Sequence, residues 1–179
     1  MSDALAALSE TRATFSSVLD SFSREALAWR PAPDAWSATD VLEHLIRTER
    51  GYLVRLGRQI AAGENRKPVG APSLEAFQKL STFLRSDRKT RVPEAVARLA
   101  GPSGDADYGE LRATWDGLDD AWRQRLAEVP DELREAGLVG HPIAGALTAE
   151  ATVQFVTDHT RHHLHQLNRL RNAEGFPDA

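Results

Sequence analysis

Four of the six histidines in this 179-residue chain fall within seven positions, His159, His162, His163 and His165, in the stretch DHTRHHLHQL. Imidazole nitrogen suits zinc, nickel, copper or ferrous iron, and it ligates only when its lone pair is free. On a helix, side chains four apart lie one above the other. His159 and His163 have that spacing, so both rings can converge on one ion. Phe155 lies four positions before the pair and Leu167 four after, which puts the pair in line with an apolar stripe facing the interior. His162 flanks that stripe and His165 falls on roughly the opposite side. Both are read, with His141, as structural or exposed residues. The HExxH pattern of metalloproteases uses the same spacing around a glutamate base. Here Thr160, Arg161 and His162 fill the interval, so a metalloprotease is excluded.

Two ligands rarely suffice. His44, in VLEHL, is the one histidine of an earlier helical segment, in register with Val41 and Thr48 at the edge of its apolar face. In a bundle, ligands on facing helices meet in the core. Three imidazoles with water in the remaining positions would form an open site. The plainer alternatives are a hydrogen-bonded interior His44 and a solvated histidine run. The cost of burying an unpaired imidazole weighs against the second for His159 and His163.

The elements that must position these residues are helical. Leu5, Leu8, Phe15, Leu19 and Phe22 mark a helix over about residues 3–26, and Pro31 and Pro33 in AWRPAPDAW break it. Ser37 with Asp40 is a capping-box pattern opening a helix over 37–62. GENRKPVGAP reads as a loop, Ser73 as the start of a shorter helix, and residues 89–105 as an irregular connection. Tyr108, Leu111, Trp115, Leu118, Trp122, Leu126 and Val129 mark a helix over 107–129, closed by Pro130. After the loop REAGLVGHPIAGAL a last helix covers 148–171. The alternation expected of strands is missing. The pattern implies an all-α four-helix bundle with an extra short helix in a long connection, as one domain over 1–179.

Composition narrows the function classes. Hydrophobic residues make up 41% and charged residues 27%, which suits a folded domain. A net charge of −4 provides no basic field for nucleic acid or anionic lipid. No run approaches the roughly 18 apolar residues that cross a bilayer. The N-terminal stretch MSDALAALSETRATF lacks a basic start, so a cytoplasmic protein is expected. With no cysteine, any thiol chemistry must use a thiol brought by a substrate.

A wider set of residues resembles the DinB/YfiT-like family of metalloenzymes. The matching residues are Trp29, Arg30, Pro31, Trp36 and Ser37, then Val41 to Leu45 in VLEHL. Further on come His141, Pro142, Gly145, Leu147 and Thr148, and finally His159, Arg161, His162, His163, Gln166 and Leu167. The resemblance implies an up-down-down-up bundle with a long crossover, often a homodimer. It implies a divalent metal (zinc, nickel, iron or manganese, with zinc or nickel favoured) held by His44, His159 and His163. It also implies metal-dependent transferases or isomerases that use low-molecular-weight thiols such as bacillithiol. The function expected is a thiol S-transferase acting on an electrophilic small molecule. The alternatives are a stress-related binding or dimerisation protein with a structural metal, and a metal-dependent hydrolase. Glu43 and Asp158 adjoin ligands in sequence but point about 100° away on a helix. Packing is expected of Trp29, Trp36 and His141. Gln166 is expected to bond within the helix or to a ligand.

Overall fold

The computed structural model describes residues 2–63, 68–89 and 100–177. The first stripe folds as α1 (Ser2–Asp20), with Leu8, Phe15 and Leu19 fully buried. It stops six residues short of the expected end. Ser21 turns its hydroxyl back to the Val18 carbonyl, and Ser23 caps a separate short helix, α2 (Arg24–Ala28). Such local bonds compete with helix continuation.

Ser37 caps α3 (Ala38–Ala62) with the full reciprocal box: its hydroxyl accepts from the Asp40 amide at 3.1 Å and its amide donates to Asp40 at 2.7 Å. Gly63 closes the helix at φ 59°, in the left-handed region that glycine favours. The shorter helix, α4 (Ala71–Leu84), begins two residues before Ser73, with Pro72 in its first turn. Residues 64–67 and 90–99 lie outside the described residues, so the expected loop and irregular connection are seen only in part.

The helix expected over 107–129 is divided at Gly117 into α5 (Tyr108–Asp116) and α6 (Leu118–Ala127). Glycine is a poor helix former, and the acidic pair Asp119–Asp120 favours a new first turn after it. The stretch read as strandless loop contains a hairpin, β1 (Val139–His141) paired antiparallel with β2 (Gly145–Leu147). Three residues per strand are too few to register as alternation. Gly145 is required there: its φ is +72°, and a Cβ would lie 2.7 Å from the Ser73 hydroxyl. Thr148 then caps α7 (Ala149–Arg171). α1 packs along α7, α3 bridges α7 to α5 and α6, and α4 lies against α7 and β2. The result is the four-helix bundle in up-down-down-up order, with α4 in the long crossover.

A charged cluster sits inside the bundle. Arg12, on α1, donates to Glu49 on α3 and to the Trp115 carbonyl at 3.1 Å, and ion-pairs with Asp119 at 3.0 Å. Its guanidinium lies 4.3 Å over the Trp115 ring. Trp122 donates to Glu49 at 2.8 Å. Arg12 thus takes up a carbonyl at the C-terminal end of α5 and ties α1 to α3, α5 and α6. Burial pushes the Glu49 carboxyl up to about 7, against the opposing pull of Arg12 and Trp122.

A carboxyl whose folded pKa is raised contributes most below its unfolded value of 4.5 and loses that contribution as pH rises toward 7. Urea midpoints of wild type and Glu49→Gln should therefore diverge with rising pH, in favour of the glutamine variant. A difference that stays constant between about pH 5 and pH 8 would contradict this account.

Candidate metal site

The cap at Ser37 sets the phase of α3 and turns His44 toward α7. There its Nε2 lies 3.3 Å from the Nε2 of His159, which is 3.2 Å from the Nε2 of His163. All three ligand atoms fall within 4.8 Å of one another, and the group could hold a metal ion. The trio expected from register is therefore brought together. His44 and His163 are each 7% exposed, whereas His159 retains some access to solvent.

Two of the rings are oriented by acceptors on their far side. His44 donates from Nδ1 to the Ala100 carbonyl at 2.7 Å, and His163 donates from Nδ1 to Gln166 Oε1 at 2.8 Å. Those bonds place the proton on Nδ1 and leave the Nε2 lone pairs aimed at the common centre. All three histidines are held below the ordinary imidazole range. Burial is the largest cause for each, and for His159 and His163 the neighbouring imidazoles are the next charges that count.

Aromatic rings wall the group. Trp36 lies 4.9 Å from the His44 ring and stacks at 6.3 Å on His163, while Phe155 stacks at 5.4 Å on His159. Packing of Trp36 was expected at a bundle end, and its place beside the histidines was missed. A signal was present, because a large residue just before an N-cap commonly folds back over the first turns of its helix. Trp29 packs instead on Phe176 at 5.4 Å.

The adjoining carboxylates are occupied elsewhere. Glu43 accepts from the amide and hydroxyl of Ser103, at 2.8 and 3.1 Å, and so fastens the segment that carries the Ala100 carbonyl. Asp158 is fully buried and accepts from Ser81 at 2.6 Å and Arg85 at 2.7 Å, joining α4 to α7 next to His159. The other histidines stay out of the group. His162 is buried against Phe83, and His165 is only partly covered. His141 accepts from the amides of Ile143 and Ala144, both at 3.1 Å, and so fastens the hairpin turn.

A mainly helical four-helix bundle with a histidine group across two of its long helices defines a class of protein. The model of the DinB superfamily matches residues 7–167, and the chain belongs to that family. Among solved structures it is similar to YfiT from Bacillus subtilis, described as a probable metal-dependent hydrolase with an unusual four-helix bundle topology. The likeness has a TM-score of 0.60 and 17% identity, covering 98% of this chain and 88% of that one. At that identity it establishes the fold. No curated protein shows significant similarity to the chain.

The lowered histidines give a pH dependence of the opposite sign to that of Glu49. Unfolded imidazoles take up protons near 6.5 while the folded ones resist, so their contribution is present above 6.5 and lost as pH falls below it. Metal-free protein should lose stability between about pH 7 and pH 5, and His159→Leu should do so less steeply. An equal slope in both, measured by urea unfolding, would refute the assignment.

Proposed function

We propose that His44, His159 and His163 hold one divalent metal ion and that the protein is a metal-dependent enzyme acting on a small molecule. The spacing of the ring nitrogens carries the reading. Metal–nitrogen bonds of 2.0–2.1 Å in a tetrahedron require nitrogens about 3.3 Å apart. His159 lies at 3.2 Å from His163 and 3.3 Å from His44, and the His44–His163 pair lies within 4.8 Å. Two of the rings carry their proton on Nδ1, which leaves the Nε2 lone pairs of His44 and His163 free to ligate. An all-imidazole donor set favours zinc or nickel over manganese, which prefers oxygen. When bound, such an ion supplies Lewis-acid activation, lowering the pKa of a thiol or a water molecule.

The residues present support this chemistry in definite ways. Ala100 and Gln166 fix the ring orientations, Trp36 and Phe155 exclude water on two sides, and access remains past His159. Glu43 and Asp158 are held by other donors, so no carboxylate belongs to the group among the described residues. A nucleophile that needs no side-chain base fits such a site. A low-molecular-weight thiol of the bacillithiol type meets that condition, in a chain with no cysteine of its own. The activity proposed is therefore S-transfer from such a thiol to an electrophilic carbon. Hydrolysis by an activated water is the second reading, favoured by the description of YfiT as a probable metal-dependent hydrolase.

Protein purified without a histidine tag should carry about one zinc or nickel per chain by elemental analysis. His159→Ala and His163→Ala should each abolish that retention. Turnover of electrophiles only with added bacillithiol supports transfer, whereas thiol-independent ester or amide cleavage supports hydrolysis. A chain that takes up no zinc, nickel, iron or manganese overturns the proposal. Chelation that lowers the melting temperature, with no turnover of either kind, would leave a structural metal.

A further inference from the structure

A ligating histidine usually donates its second ring N–H to an outer acceptor, which fixes the tautomer and aims the lone pair. His44 has the Ala100 carbonyl and His163 has Gln166. His159 has hydrogen-bond contacts only through Nε2 among the described residues. On the facing helix the buried Oγ1 of Thr48 has no hydrogen-bond partner. Buried hydroxyls without partners are rare and call for an explanation.

Two observations direct that hydroxyl toward His159. Thr48 lies on α3 midway between His44 and Tyr52, four residues from each and on the same face. His44 meets His159 at 5.0 Å between ring centroids, and Tyr52 meets Phe155 at 5.1 Å. Thr48 is thus bracketed by contacts to Phe155 and His159, two rings stacked on each other. Secondly, threonines on the helices here turn their hydroxyls onto the carbonyl four residues back, as Thr11, Thr82, Thr152, Thr157 and Thr160 do. Thr48 does not make that bond, so its hydroxyl is left available to another partner.

We infer that Thr48 is a positioning residue for His159: its hydroxyl, through one bridging water molecule, holds the His159 Nδ1–H and so directs Nε2 to the metal. This rests on the metal-site reading above. It treats Thr48 as part of the metal's outer support rather than only as a register neighbour of His44.

The test compares wild type, Thr48→Val and Thr48→Ser in the full untagged chain. Zinc affinity is read by competition with a chelator, beside the melting temperature of the metal-free forms. Thr48→Val should weaken zinc binding about 10- to 100-fold, the usual effect of losing an outer partner. It should leave metal-free melting nearly unchanged, since valine keeps the shape of threonine and the hydroxyl has no direct protein partner. Thr48→Ser should restore near-wild-type affinity. If wild type binds zinc and Thr48→Val binds it equally well, this inference fails while the metal site stands. A wild-type chain that binds no zinc, nickel, iron or manganese removes both. Should Thr48→Val melt lower, proton exchange at His159 Nδ1 in the zinc-loaded wild type decides. A protected N–H supports the role, and exchange as fast as in an exposed imidazole overturns it.

Discussion

Three imidazoles from two helices meet at one point, and each is held there in a form that resists protonation. Burial alone would make such a group a liability, because lone pairs in a low-dielectric interior need a partner. Much of the surrounding structure serves to hold the rings in place all the same. The Ser37 cap phases α3, the Ser103–Glu43 bonds anchor the segment carrying the Ala100 carbonyl, and Asp158 pins α4 to α7 beside His159. A protein that needed only a packed core could place leucines at these positions.

The bundle separates two polar interiors with different tasks. The Arg12–Glu49 cluster joins α1, α3 and the broken pair α5–α6, and it sits at a discontinuity that leaves carbonyls to be satisfied. Breaking one partner of such a buried pair strands the other charge. The histidine group uses the adjoining face of α3 against α7 and, among the described residues, contains no carboxylate. One helix thus serves both, with Glu49 turned to one side and His44 to the other.

What could be read in the sequence follows from which signals are periodic. The apolar stripes of α3 and α7, the Ser37–Asp40 box and the four-residue spacing of His159 and His163 are local patterns, and they survive folding almost unchanged. His44 was reachable because helices that share a core bring their inward registers together. The short hairpin was not legible, since three-residue strands show no alternation and their pairing depends on contacts with α4. Nor was the break at Gly117, where one residue interrupts an otherwise continuous stripe. The pairing of Arg12 with Glu49 is a contact between two helices that no local pattern announces. Trp36, Gln166 and the Ala100 carbonyl act through tertiary placement, which spacing along the chain does not encode.

The central claim is that the three ring nitrogens bind a single cation. The most direct measurement is diffraction from crystals grown with zinc, with data collected on both sides of the zinc absorption edge. The account predicts one strong anomalous peak about 2.0–2.1 Å from the Nε2 atoms of His44, His159 and His163. Anomalous density only at exposed side chains, with the three rings still in mutual contact and no peak between them, would contradict it.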